Sequence, residues 1–489
     1  MLQFEIFLSE AVESNTQLYG YRYSLLFLQN LYLINHEYPI ANIFSNRFIF
    51  LKIKIHPYII QRFLIMKFIT VSLLACLAIW VLSLPDIATL PAFIYWRNML
   101  VQLTGFIAVL CITGLLIMAL HPAFLEKWLG GMDKLYLYHK SLGIGAGVAT
   151  LLHWFFAKLP KIAAALEWIA PGRRQPHPID PWRGIMNELG EISFYCMILF
   201  IAISLIKWIS YKNFRVIHKV GAVIALLGIL HSFYMINSDM RWTAFGIACM
   251  VLCFISSLII IYSLAGRIGR KNHFPAKITA VSKINESTLE LTLSTPASFA
   301  QRYQAGKFVF LTTDPKEGKH PFTVSRYDAD NHTLALTIKA LGDYTTSLVN
   351  HPNLVGTSVV MEGPYGEFTL PEHPDKKTYW VAGGIGITPF LSWLHQLRTS
   401  HQQQRNTTLF YCVNRESDLI HQDTLETLAR EADIDLRILV RDRDGLLDPA
   451  PMNSDNCAGV WFCGPIGMRR YLQQHLDQTA LHFEQFNFR

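Results

Sequence analysis

The chain has 489 residues, a formal net charge of +7, and 51% hydrophobic residues. That length implies several domains, and that hydrophobic share implies a large membrane part. The basic residues cluster beside hydrophobic runs, so the charge does not point to nucleic acid. The eight cysteines contain no CxxC, which excludes a zinc or redox-pair signature.

Residues 1–65 mix polar and apolar patches, contain Pro39 and Pro57, and show no period long enough to bury a face. Met66-Lys67 before an uncharged apolar run has the form of a natural N-terminus. The segment is therefore expected to be unstructured, or an over-extended start, and dispensable.

Six membrane spans are expected, at roughly 68–84, 98–120, 135–157, 190–208, 216–236 and 242–265. Lys127, Lys134, Lys207, Lys212, Arg215, Arg267, Arg270 and Lys271 fall in three connections on one side, which the positive-inside rule assigns to the cytoplasm. The Pro-rich connection 158–188 falls on the other side and reads as an irregular loop. Arg97 lies at the outer end of the second span, as an attractor for an anion or as an interfacial anchor.

Four histidines stand inside these spans, where ionisable groups are costly and mark function. His139 and His153 are fourteen residues apart in one span, and His218 and His231 thirteen apart in another. At about 1.5 Å per residue each pair is separated by roughly 20 Å along its helix. Two such helices offer a histidine pair near each membrane face, and imidazole is a good axial ligand for haem iron. The arrangement predicts two stacked haems. Thirteen steps at about 100° fall about 140° short of a full turn, so the second helix must kink, carry a π-bulge, or present its histidines from different sides.

After Lys271 the texture changes. "AKITAVSKINESTLELTLSTP", "KFVFLTT", "TLALTIKA" and "SVVMEGPYG" have the period and β-branched content of a small antiparallel barrel over 271–372. From 373 to 489 strands alternate with helices, which predicts an α/β domain with a parallel sheet binding a nucleotide at its carboxyl edge. Gly383-Gly384-Ile385-Gly386-Ile387-Thr388-Pro389 follows the first of these strands. Its glycines let the backbone approach a pyrophosphate, and the helix that follows stabilises the charge.

The order of these motifs resembles the ferric reductase and NADPH oxidase superfamily, particularly its bacterial members, over 66–489. Residues 272–489 resemble a ferredoxin–NADP reductase module. The resemblance implies a multidomain chain: a six-helix haem-binding bundle over 66–270, an antiparallel β-barrel that binds FAD, and an α/β NAD(P) domain. It implies that His139 and His218 ligate an inner b-type haem and His153 and His231 an outer one. His320, Pro321, Phe322, Thr323 and Ser325 would bind the flavin and its ribityl–phosphate region. Lys339, Gly342 and Thr345 would approach the FAD pyrophosphate. Gly383, Gly384, Gly386, Thr388 and Pro389 would cradle NADPH or NADH, with Cys463, Gly464 and Pro465 beside the nicotinamide. Cys463 also fits a buried strand cysteine. Arg415 sits where a 2′-phosphate could be recognised, although a solvated surface arginine has the same pattern. Phe488 is the candidate aromatic over the flavin, with Arg489 following it.

The implied activity passes electrons from cytoplasmic NAD(P)H through FAD and two haems to an extracytoplasmic acceptor in a bacterial plasma membrane. A loop over the outer haem favours dioxygen; a ferric chelate or a periplasmic protein also fits the scaffold. A transporter with a regulatory nucleotide-binding domain is the non-enzymatic alternative.

Overall fold

Helix α1 (Ala92–Ala119) is the spine of the membrane half. Tyr95, Met99, Leu103, Phe106, Val109, Ile112 and Leu116 are all buried, because α1 packs between α3 (Met132–Ala165) and α6 (Ala244–Leu264). Helix α4 (Pro181–Leu205) and α5 (Tyr211–Tyr234) pair with each other. The faces turned away from these contacts stay apolar, with Leu151, Leu152, Phe155, Leu199, Val216 and Val223 exposed, as lipid requires.

The computed structural model describes residues 71–484 apart from 73, 87–91, 169–179, 207–210, 315–316, 352, 372–375, 455 and 477–478. Residues 1–65 and Phe488 lie outside the described residues. Among those described, five helices, not six, are long and apolar enough to cross a membrane: α1, α3, α4, α5 and α6. The expected span at 68–84 is helical at 71–72 and 74–82, too few described residues to span.

Local chemistry sets the helix ends. Between α1 and α3 the chain makes the short helix α2 (Ala123–Leu129), closed by Gly130 at φ 83, a left-handed cap that favours glycine. Helix α4 begins with Pro181 behind Asp180, whose Oδ1 accepts from the Trp182 and Arg183 amides at 3.1 and 3.2 Å. Tyr234, the last residue of α5, donates to Asp180 Oδ2 at 2.8 Å and ties the two helix ends.

Strands β1 (His273–Asn285), β2 (Thr288–Ser294), β3 (Phe308–Thr312), β4 (His320–Asp328), β5 (Thr333–Lys339) and β6 (Ser358–Tyr365) close an antiparallel barrel in the order β1-β2-β5-β4-β3-β6. Ile278, Leu291, Val309, Val324, Leu336 and Met361 fill it. Helix α7 (Asp343–Asn350) follows β5.

The last region is a parallel sheet in the order β11-β10-β7-β8-β9, made of β7 (Lys377–Gly383), β8 (Thr407–Val413), β9 (Asp435–Val440), β10 (Cys457–Cys463) and β11 (Leu481–Phe483). Helices α8 (Thr388–Ser400), α9 (Gln422–Glu431) and α10 (Ile466–His475) connect the strands. Residues 378–383 of β7 are all buried, as expected of a central strand covered on both faces.

The barrel docks directly under the bundle. Met132, at the head of α3, is buried among Phe308, Phe310 and Tyr365. The Gly366 amide donates to Glu126 Oε1 in α2 at 2.9 Å.

Candidate cofactor sites

Helices α3 and α5 bring the four histidines together two by two. The His139 and His218 rings have centroids 6.0 Å apart, and those of His153 and His231 lie 6.2 Å apart. Three of the four donate Nδ1–H to a main-chain carbonyl: His139 to Leu115 at 2.9 Å, His153 to Val101 at 3.0 Å, and His231 to Met186 at 2.7 Å. A carbonyl only accepts, so these bonds fix the proton on Nδ1 and leave Nε2 with its lone pair. His218 instead packs against the Phe200 and Phe214 rings, at 5.3 and 5.0 Å. Helix α5 is α-helical throughout, so no π-bulge resolves the thirteen-residue step. Its histidines leave the helix from different sides, and each ring still ends beside its partner.

Two imidazoles facing one iron at about 2 Å per metal–nitrogen bond stand roughly 6 Å apart between ring centres. The observed pairs and their Nδ1 bonds fit bis-histidine haem ligation. Among the described residues no group of three or more His, Cys, Asp or Glu could hold a bare metal ion.

Glycines make room for these rings. A Cβ on Gly105 of α1 would lie 3.1 Å from His153 Nδ1, and one on Gly190 of α4 would overlap the His231 imidazole. Sequence reasoning missed both, because a glycine in an apolar span leaves the hydrophobic pattern unchanged. Arg97 has a local explanation. Pro160 lies inside α3 and supplies no N–H for the Phe156 carbonyl. Arg97 Nε donates to that carbonyl at 2.9 Å, Nη2 to Ala157 O at 2.5 Å, and Nη1 to Asn98 Oδ1 at 2.8 Å.

In the barrel, His320, Pro321, Phe322 and Thr323 open β4 opposite Leu311, Phe310, Val309 and Phe308. The His320 ring stacks on Tyr344 at 3.8 Å, and burial holds its pKa below the usual range. Ser325 was expected to face a cofactor, but it is fully buried and donates to the Ala335 carbonyl at 3.0 Å. Thr345 Oγ1 accepts from the Leu341 and Gly342 amides at 2.9 and 3.1 Å, capping α7, and a Cβ on Gly342 would meet open space. Lys339, expected at a pyrophosphate, instead places Nζ 2.7 Å from Asp418 Oδ1. β5 ends facing the turn after β8, so the nearest strong anion is that carboxylate.

The nucleotide loops meet backbone to backbone. Strands β7 and β10 are parallel neighbours with Ala382 opposite Cys463. A Cβ on Gly464 would lie 3.0 Å from Gly383 Cα, one on Gly383 would lie 2.7 Å from Pro465 Cδ, and one on Gly386 would overlap the Cys463 carbonyl. Gly384 has φ +55, and Thr388 donates to Ile385 O at 3.1 Å before Pro389 enters α8. Cys463 is buried, and its thiol pKa is pushed well up by burial and then by Glu484. Glu484 is buried too, and burial followed by repulsion from Asp133 raises its carboxyl pKa. That residue was also missed, since "HFEQF" marks no burial. Arg415 is exposed beside the 3₁₀ turn Glu416–Asp418, and its guanidinium makes no hydrogen bond or ion pair among the described residues.

Comparisons with known proteins divide the chain in the same three parts. Residues 104–229 match the ferric reductase like transmembrane component family, 273–369 an FAD-binding domain, and 380–474 an oxidoreductase NAD-binding domain. The chain is 25% identical to the 2-halobenzoate 1,2-dioxygenase electron transfer component of Burkholderia cepacia, over 44% of this chain and 68% of that protein. It is 32% identical to ferric reduction oxidase 8 of Arabidopsis thaliana, over 27% of this chain and 20% of that one. It is 24% identical to respiratory burst oxidase homolog protein E of the same plant, over 41% and 23%. The chain thus spans about two thirds of the first relative and under a quarter of the other two.

Proposed function

Because the chain belongs to the ferric reductase and NADPH oxidase superfamily, an oxidoreductase class with FAD-binding and NAD-binding domains, we propose that it moves electrons across a bacterial plasma membrane. The path runs from NAD(P)H through FAD and two b-type haems to dioxygen on the far side. The observation that carries this reading is the pair of facing imidazole couples, stacked along α3 and α5, with Nε2 left free wherever a carbonyl takes Nδ1. When bound, flavin would supply the conversion of a two-electron donor into single-electron steps.

The chain's own residues do the positioning. His139 and His218 serve the level nearer the barrel, and His153 and His231 the far level. The bare backbone at Gly383, Gly386 and Gly464 lets the two nucleotide loops pack against each other, Gly384 leaves open space beside them, and the buried seam of Met132, Phe308, Phe310 and Tyr365 keeps water from the junction. Lys127, Lys134, Arg267, Arg270 and Lys271 accompany the barrel end, which supports a cytoplasmic location for it.

An outer pair held between α3 and α5 suits a small acceptor such as dioxygen. Ferric-chelate reduction is the second reading, favoured by the transmembrane family match. Vesicles with the barrel side outward, given NADPH, separate the two. Superoxide formed inside at a rate that accounts for NADPH loss supports dioxygen. Reduction of enclosed ferric chelate, unchanged when oxygen is removed, would replace it.

A further inference from the structure

The turn that carries Arg415 contains two acidic residues, and each is taken by a different cation. Glu416 Oε2 is 3.2 Å from Arg443 Nη1. Asp418 Oδ1 is 2.7 Å from Lys339 Nζ, which reaches across from the end of β5 in the flavin barrel. Asn285 adds a second tie from the barrel, donating to the Ser417 carbonyl at 3.1 Å. The Asp418 amide donates to the Arg415 carbonyl at 3.0 Å, so Arg415 and Asp418 close one turn. The Lys339 and Asp418 side chains are 22% and 26% exposed, dry enough for the pair to persist, whereas Arg415 stands open to solvent. The Lys339 hydrogen bond is the main reason the Asp418 carboxyl is held below its ordinary range, with Arg415 a smaller contributor.

We propose that Lys339 is a positioning residue for nucleotide selectivity. By holding Asp418 it keeps that carboxylate off Arg415 and leaves the guanidinium free for the 2′-phosphate of NADPH. The inference rests on Arg415 facing that phosphate. Without Lys339, Asp418 turns to the nearest cation in its own turn, so Arg415 is neutralised locally and NADPH suffers where NADH does not. The barrel residue thus sets which nucleotide the sheet domain prefers, with no contact to either.

The test uses the full-length holoenzyme, with anaerobic flavin reduction followed over a range of NADPH and NADH concentrations. Lys339→Gln should raise the half-saturating NADPH concentration roughly fivefold, the scale of one partly exposed charge pair. The NADH value should move less than about twofold. Adding Asp418→Asn should return NADPH to within about twofold of wild type, although the tie is not restored, because the competing carboxylate is gone. Equal shifts for both nucleotides, no rescue by Asp418→Asn, or loss of bound FAD in Lys339→Gln would each overturn the proposal. Arg415→Gln run alongside separates the failures. An unselective loss there removes the Arg415 reading and the inference with it; a selective loss there beside an unselective Lys339→Gln removes the inference alone.

Discussion

The membrane half and the nucleotide half place their sites by opposite means. In the bundle, four imidazoles project from α3 and α5, each steered by a carbonyl or an aromatic ring on a neighbouring helix. In the parallel-sheet domain the site is a meeting of bare backbones, Gly383 against Gly464 and Gly386 against the Cys463 carbonyl. The first kind of site fails when a side chain is taken away, and the second when one is added. The difference follows from what each site must do: an iron needs lone pairs delivered at fixed distance, whereas the two nucleotide loops must pack against each other with no side chains between them.

The largest effect is expected from subtraction in the bundle. His153→Ala or His231→Ala should remove one haem outright and leave flavin reduction by NADPH intact. A reduced-minus-oxidised spectrum reads this directly, and full haem content in His153→Ala would break the comparison. Next comes addition in the sheet domain. Gly386→Ala forces a methyl onto a main-chain carbonyl, at a cost near the top of the range of about 1–3 kcal/mol for overpacking. It should abolish saturable flavin reduction by NADPH while both haems remain, and normal nucleotide saturation would show that the close approach is dispensable.

Gly190→Ala crosses the two categories, being an addition within the bundle. Its methyl meets an imidazole that can shift, so the cost should be smaller, about 2 kcal/mol. The outer haem should change its spectrum or its occupancy, with the inner one untouched. The smallest effect is expected at Arg415, which is exposed. Arg415→Gln should weaken NADPH by about 1.5 kcal/mol, roughly tenfold, with little change for NADH.

Much of this was legible in the sequence because its signals are local. Histidine spacing, a glycine loop after a buried strand, and the change from long apolar runs to alternating ones each sit within a short window. What escaped depends on partners distant in the chain. Lys339 and Asp418 are 79 residues apart, so the resemblance that implies a pyrophosphate beside Lys339 carries no sign of that carboxylate. Ser325 lies in a strand that was read as cofactor-facing, yet its hydroxyl turns inward to Ala335. Gly105 and Gly190 are invisible to a hydropathy reading, and the burial of Glu484 arises only where α3, the barrel and the sheet domain converge. Arg97 was read through its position in the membrane; its partners follow from Pro160, which lies 63 residues downstream.

The central claim is that one chain carries electrons from the nucleotide loops to both histidine pairs. It is tested most directly by anaerobic addition of NADPH to the purified full-length protein loaded with FAD and haem, with flavin and haem absorbance followed together. The account predicts that flavin bleaching is followed by reduction of two haems, and that His139→Ala leaves any remaining haem oxidised while the flavin still bleaches. Flavin reduction with no haem bound, or with bound haem that stays oxidised in the wild-type protein, would contradict it.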